Sequence, residues 1–354
     1  MVVFLLAKPC IAFYGNSSHN VGAGHIMRLF ALAQVACNTF DVLFLYKTCS
    51  QHLLTMLESE GFAAKKVNAL LNADDVTKLS ISIMVVDDYH LSKTEWKSLQ
   101  DANVYIVVLD DNLNADALLA DFVINPAADA NLAEYKKRAP SAEFCLGPRY
   151  SYLRKDFNSC AFVPLQARSN ILVVLGGTDP MSIALPLCQS LVSLNLGCNI
   201  ELLVGEKHND HKALMQLHDQ NEGFSVVLNP DSVAQHMMQA GLAISAAGGT
   251  LGELASLGVP TLALVIADNQ RSILHTVTRK PWYRAIDIRG WQKSTESHFL
   301  QMNNPLLNKI ASMTTELWRD NCCRESMSNA ARQLVDTHGC QRIIDKLASC
   351  LEKR

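Results

Sequence analysis

Two stretches of this chain combine residue types suited to holding a phosphorylated substrate and acting on it. The first is Gly22-Ala23-Gly24-His25, set between the apolar run Cys10 to Tyr14 and a helical pattern carrying Ile26, Leu29, Phe30 and Ala33. Glycine leaves no Cβ in the way and permits positive φ, so Gly22 and Gly24 would let a substrate approach the main chain where a helix N-terminus points its amides outward. His25 stands at that mouth. The positive end of a helix favours the neutral imidazole, the form that can take a proton. The plain alternative is a loop histidine with no catalytic task; its setting after a strand favours chemistry, because α/β folds gather their sites beyond the carboxyl ends of strands.

The second stretch is Ser245-Ala246-Ala247-Gly248-Gly249-Thr250-Leu251-Gly252-Glu253. Gly248 and Gly249 permit a tight turn, the amides of Gly249 and Thr250 would face an anion at a helix start, and Thr250 adds a hydroxyl. One helix N-terminus gives an anion only ~0.3 to 1 kcal/mol at an exposed site, so holding a diphosphate needs several such donors together. Glu253 could accept from the two hydroxyls of a ribose, or close a capping box with Thr250 through the T-x-x-E spacing; both roles stay open. Further on, Asn269 and Gln270 follow an apolar run, and their amides both donate and accept, which suits sugar hydroxyls and acetamido groups.

Other polar clusters admit two readings each. Asp87-Asp88-Tyr89-His90 and Asp110-Asp111 end strand-like runs, where they could do chemistry or cap the next helix. Arg149, Arg154 and Lys155 could attract phosphate or form a solvated basic cluster, the reading preferred. His208 and His211 lie three apart without a third ligand nearby in sequence, so they read as surface histidines and no metal is expected.

The elements that must position these residues alternate. Strand-like runs at 42–46, 83–86, 105–109 and 122–124, with a helix from about Gln51 to Glu60, predict a parallel sheet covered on both faces. The grammar restarts at Ile171 to Leu175 and continues through 200–204, 224–228, 242–244 and 261–266, with Pro180 fitting a first helical position behind Asp179. The tail from Glu325 through Leu351 is helical by period and is expected to pack across both lobes. The segment from Lys155 to Ser169 lacks periodicity and reads as a linker. The expected division is therefore an N-terminal lobe over 1–158, carrying the histidine loop, and a nucleotide-binding lobe over 159–354 that includes the C-terminal helices.

Composition agrees with two sizeable cores: 354 residues, 49% hydrophobic and 18% charged. A net charge of −3 advertises neither nucleic acid nor an anionic membrane as partner. Met1 to Ala7 is apolar but lacks a basic flank and is cut short by Lys8 and Pro9, so neither a secretory signal nor a membrane span is expected. The 11 cysteines include no CxxC pair, which suits a reducing, cytoplasmic setting.

Taken in order, G-x-G-H-x-x-R at Gly22 to Arg28, the Asp87 to Tyr89 exit, Leu109-Asp110-Asp111, Leu146-Gly147-Pro148-Arg149-Tyr150 with Leu153-Arg154, Gly176-Gly177-Thr178-Asp179-Pro180, Ser245 to Glu253 and Ala267-Asp268-Asn269-Gln270 resemble one family. It is the UDP-2,4-diacetamido-2,4,6-trideoxy-β-L-altropyranose hydrolases of pseudaminic acid biosynthesis, relatives of two-lobed GT-B nucleotide-sugar glycosyltransferases. The resemblance implies a GT-B-like α/β fold, two Rossmann-like lobes with a cleft between them. It implies that water attacks the anomeric carbon of a UDP-sugar with inversion, in a pathway that modifies flagellin or surface glycans and whose other enzymes are further partners. It assigns His25 as base, the amides around Gly249 and Thr250 to the diphosphate, Glu253 to the ribose, and Asn269, Gln270 and Tyr89 to the sugar, with no cofactor. The rivals are a GT-B transferase using a UDP-sugar donor and a non-catalytic nucleotide-sugar-binding paralogue. The chain departs from the pattern in three places. Tyr14 and Asn16 stand where the family carries an Arg and an Asp, no Arg follows within Asn112 to Asp116, and Gly248-Gly249-Thr250 replaces a glycine-serine-threonine.

Overall fold

The computed structural model describes residues 8–17, 23–68, 73–88, 90–110, 118–176, 179–205, 208–276, 282–292 and 304–353. The chain forms two compact units, Met1–Lys155 with His338–Arg354, and Asp156–Thr337.

In the first unit, β1 (Cys10–Gly15), β2 (Asp41–Tyr46), β3 (Ala63–Lys66), β4 (Ile81–Asp87), β5 (Tyr105–Leu109), β6 (Phe122–Asn125) and β7 (Glu143–Leu146) make a sheet in the order β3-β2-β1-β4-β5-β6-β7. Every pairing is parallel. In the second, β8 (Asn170–Val174), β9 (Asn199–Val204), β10 (Phe224–Leu228), β11 (Ala240–Ala246), β12 (Thr261–Val265) and β13 (Tyr283–Asp287) run parallel in the order β10-β9-β8-β11-β12-β13. Both orders reverse direction once, between β1 and β4 and between β8 and β11, and such a switch point opens a crevice at the strands' carboxyl ends.

Central strands are buried on both faces and read as unbroken apolar runs: β1, β4 and β5 are almost wholly enclosed. Three strands, β3, β7 and β13, have no counterpart among the runs expected from the sequence, and all three are sheet edges. An edge strand is half exposed and need not be apolar; β3 is Ala-Ala-Lys-Lys.

The helix Gly24–Ala36 buries Ile26, Leu29, Phe30, Leu32 and Ala33 against the first sheet. Each aliphatic or aromatic side chain enclosed this way contributes roughly 1.5 to 3 kcal/mol. The approach is close at Gly15, where an added Cβ would lie 2.7 Å from Leu29 Cδ1. A side chain there would displace the Leu29 methyl; Gly24, by contrast, is an ordinary first helical residue, without positive φ and, among the described residues, with no atom outside its own helix backbone within 4 Å of the place a Cβ would take.

The expected boundary needs one correction. The helix Gly339–Glu352 belongs to the first unit: Cys340, Ile343, Ile344, Leu347 and Cys350 join the core of the N-terminal sheet. The helices Pro305–Arg319 and Asn321–Leu334 complete the second unit. The tail is thus divided between the units, and residues 338–354 leave the second lobe to which the sequence assigned them. Segment 156–169, read as a linker, is also structured within the second unit. Its Arg168 is buried and donates from Nε to Val163 O at 2.9 Å and from Nη2 to Leu257 O at 3.0 Å. Pro180 does not open a helix; the helix begins at Ala184, whose backbone N–H donates to Asp179 Oδ2 at 2.7 Å.

Candidate active site

His25 is the second residue of the helix that follows β1, so the crossover carries it to the switch point beside the end of β4. There Asp87, fully buried and paired in register with Gly15, meets the imidazole: His25 Nδ1 lies 2.6 Å from Asp87 Oδ1. Arg28, one helical turn beyond His25, clamps the same carboxylate, donating from Nε to Oδ2 at 2.9 Å and from Nη2 to Oδ1 at 2.8 Å. A buried carboxylate is costly unless paired, and this bidentate guanidinium supplies the pairing. With Asp87 ionised, Nδ1 carries the proton and donates it, leaving the lone pair on Nε2. The 3.2 Å approach of Arg28 Nη2 to Nδ1 is then a contact between two donors rather than a hydrogen bond.

Beside this triad the exits of β1, β2 and β4 are tied together by Asn16. Its Oδ1 accepts from the backbone N–H groups of Lys47 (2.8 Å) and Thr48 (3.0 Å), and its Nδ2 donates to Asp88 Oδ2 at 2.7 Å and toward the Tyr14 phenol at 3.2 Å. Asp88 Oδ1 accepts from His90 N–H at 2.8 Å. Lys47 Nζ donates to the buried Glu95 Oε1 at 2.6 Å. Burial works against the charge on Lys47, yet the hydrogen bond to Glu95, with Tyr14 beside it, more than offsets this and holds its pKa above the usual lysine value. Burial likewise pushes the Tyr14 phenol up. Asn16, Lys47, Thr48, Asp88 and His90 join His25 and Asp87 around a cavity of about 250 Å³.

Neither Asp87 nor Asp88 caps a helix. The helix Lys93–Asp101 starts from Ser92, which forms a complete capping box with Glu95. Asp110 accepts from the Tyr135 hydroxyl at 2.8 Å, and Asn125 Nδ2 donates to that hydroxyl at 2.8 Å. Gly22, Tyr89, Asp111, Gly177 and Thr178, together with Asn112 to Asp116, lie outside the described residues.

In the second unit, Gly248 and Gly249 link β11 to the helix Thr250–Ser256, with Glu253 in its first turn. Gly249 is the N-cap and no side chain caps this end, so the Thr250–Glu253 capping box is not formed. Gln270 comes back to this turn: its Oε1 accepts from Ile266 N–H at 3.0 Å and its Nε2 stands 3.7 Å from where a Cβ on Gly248 would be. Asn269 is exposed in the same short turn, Asp268–Gln270. The sequence pattern thus converges locally at Gly248 and Gln270. His208, expected at the surface, is buried, with Nε2 3.6 Å from Asp179 Oδ2. Among the described residues no group of three or more His, Cys, Asp or Glu is placed to hold a metal ion, and no helix is long and apolar enough to cross a membrane.

No family model matches the sequence. An uncharacterized protein of Methanocaldococcus jannaschii is 23% identical over 286 residues, which are 76% of this chain and 58% of that protein. The chain therefore spans less than two thirds of that relative's length. Among solved structures, MurG of Acinetobacter baumannii superposes with a TM-score of 0.61 at 15% identity, over 97% of this chain and 99% of that one. The fold is GT-B-like. Anabaena HepE in complex with UDP and glucose gives 0.60 at 13% identity, over 96% of this chain and 99% of that one. Phytolacca americana UGT2, complexed with UDP-2-fluoro-glucose and pterostilbene, gives 0.66 at 10%, over 98% and 100%. At such identities the likeness concerns the architecture of two parallel α/β units.

Residues without a sequence-based role prove central to the site. Arg28 stands three positions after His25, a spacing that puts both on one helical face and could have signalled the pairing. Lys47 and Glu95 carry no such signal, because only the folded sheet brings residues 48 apart into an ion pair.

Proposed function

We propose that this protein processes a nucleotide sugar, and specifically that it hydrolyses a UDP-linked diacetamido-trideoxy sugar at the anomeric C–O bond. The observation that carries the reading is the His25–Asp87–Arg28 arrangement beside a polar cavity at the switch point of the first sheet. In the reaction, His25 Nε2 takes a proton from water as the water oxygen bonds to C1. The bond from C1 to the phosphate oxygen breaks, UDP departs with the electron pair, configuration inverts, and the imidazolium returns its proton to solvent. UDP leaves without protonation, so the arrangement needs a base more than an acid. A positioned base is worth ~10² to 10⁴ in rate. Asp87 fixes the tautomer and stabilises the imidazolium, and Arg28 holds the Asp87 carboxylate in its buried seat.

The second unit would hold the nucleotide: the amides of Gly249 and Thr250 the diphosphate, Glu253 the ribose, and Asn269 with Gln270 the sugar. Gly22, Gly24 and Tyr89 complete the proposed substrate contacts. Support comes from the seating of Gln270 against Gly248 at the start of the helix that carries Glu253. Replacing Glu253 with Ala is expected to weaken UDP binding at least several-fold by calorimetry; an unchanged affinity would remove it from the ribose role.

A UDP-sugar transferase is the second reading, favoured by the likeness to folds solved with UDP and glucose and with UDP-2-fluoro-glucose and pterostilbene. Incubation of the pure protein with the diacetamido UDP-sugar and no acceptor separates the two. Hydrolysis predicts free sugar and UDP in equal amounts; turnover only after an acceptor is added supports transfer, and binding without turnover leaves a nucleotide-sugar receptor.

A further inference from the structure

The cavity beside His25 holds two charged side chains that the hydrolytic scheme does not use, Lys47 and Asp88. Both are fixed. Asn16 bonds the backbone N–H of Lys47 through Oδ1 and the Asp88 carboxylate through Nδ2, so one primary amide bridges the exits of β2 and β4. Lys47 is steadied further by buried Glu95 at 2.6 Å, and Asp88 by the His90 N–H at 2.8 Å.

Each still has capacity. An ammonium has three N–H donors; Glu95 Oε1 takes one and the Tyr14 phenol a second, which leaves one. A carboxylate has about four acceptor positions, and the Asp88 oxygens receive one bond each from His90 and Asn16. A donor and an acceptor lining one cavity are complementary to a secondary amide, whose C=O accepts and whose N–H donates. An amide carries its acceptor and its donor on different atoms, whereas a hydroxyl carries both on one oxygen. The volume, about 250 Å³, falls below the roughly 300 to 1,000 Å³ of pockets that enclose drug-sized ligands, so the space suits one substituted sugar ring.

We propose that Lys47 and Asp88 form an amide-reading pair, Lys47 donating to the acetamido carbonyl and Asp88 accepting from the acetamido N–H, so that they select acetamido sugars over hydroxyl sugars. This rests on the nucleotide-sugar reading above and adds a specificity determinant to it. Neither Tyr14 nor Asn16 brings a charge to the site; the charges come from the neighbouring strand exits.

The test uses the full chain and three probes, UDP, UDP-glucose and UDP-N-acetylglucosamine, with affinities measured by calorimetry. A hydrogen bond to a charged group predicts that the wild type binds UDP-N-acetylglucosamine about tenfold or more tightly than UDP-glucose. Lys47→Met should bring that ratio to within about threefold of unity while leaving UDP affinity unchanged; Lys47→Arg, which keeps the charge and the donors, should retain most of the preference. Should Lys47→Met fail to fold by circular dichroism, the Lys47→Arg and Asp88→Asn variants carry the same comparison, with Asp88→Asn losing preference. Wild-type indifference to the acetamido group, or a preference that survives Lys47→Met, overturns the pair while leaving the nucleotide-sugar reading standing. Failure to bind any of the three probes overturns both.

Discussion

Each unit buries a histidine against an aspartate at its strand exits, and the two pairs part company in every other respect. His25 and Asp87 meet at 2.6 Å, with Arg28 clamping the same carboxylate through two bonds and a polar cavity next to the ring. His208 and Asp179 stand 3.6 Å apart, beyond a hydrogen bond, with side chains only 1% and 2% exposed. Asp179 serves its own backbone, accepting from Ala184 N–H at 2.7 Å in a left-handed conformation with φ of 40°. The His208 ring accepts from Asp210 N–H at 3.2 Å, and among the described residues its Nε2 has no hydrogen-bond partner. A histidine near an aspartate is therefore no mark of catalysis by itself. What distinguishes the first pair is a third group that fixes the carboxylate, together with room for a reacting molecule beside the ring.

The comparison can be broken most severely at Asp87. Asp87→Asn removes the charge that orients the ring and breaks the buried pair with Arg28, so turnover should fall by ~10⁴ where the wrong tautomer results and stability by about 3 to 5 kcal/mol. Steady-state kinetics and urea unfolding check the two parts separately. His25→Ala comes next, with turnover down at least ~10²-fold and UDP affinity nearly intact; retained turnover would take the base role from this residue. His208→Phe sharpens the contrast from the other side. It removes an unsatisfied buried nitrogen at similar size, so turnover should hold and stability should move by no more than about 1 to 3 kcal/mol in either direction. A collapse of kcat in that variant would make the second pair functional.

The smallest effect concerns pH. Lys47 has its pKa raised in the folded chain, so its favourable contribution is complete below the unfolded value of ~10.4 and fades only as pH climbs through the higher folded one. The difference in Tm between wild type and Lys47→Met should accordingly be the same at pH 7 and pH 9 and shrink only above about 10.4. A difference that vanished at pH 8 would mean that Glu95 does not sustain this charge.

Much of this architecture is legible where physics leaves a local trace. Strands buried on both faces announce themselves as apolar runs, and His25 and Asp87 stand at positions where α/β sheets place their chemistry. Edge strands β3, β7 and β13 do not, because half-exposed backbone imposes no apolar pattern. The two aspartates at 87 and 88 look alike in sequence; only their partners, Arg28 for one and Asn16 for the other, give them different work. T-x-x-E at Thr250 matches a capping box that the turn does not make, whereas S-x-x-E at Ser92 matches one that it does. The spacing cannot reveal which residue takes the N-cap position.

The attachment of helix Gly339–Glu352 to the first unit bears on how the molecule is assembled during synthesis. Domains usually fold in the order in which they leave the ribosome, yet here the earlier unit lacks part of its core until Ile343, Ile344 and Leu347 have been made. The later unit is continuous, from Asp156 to Thr337, and is fully emerged before the earlier one can close. Gly339, where an added Cβ would collide with the Ser151 backbone, is the point at which the returning chain locks on. A nascent chain stalled just before this residue would present an unfinished apolar face on its amino-terminal half, the state in which a chaperone is most needed.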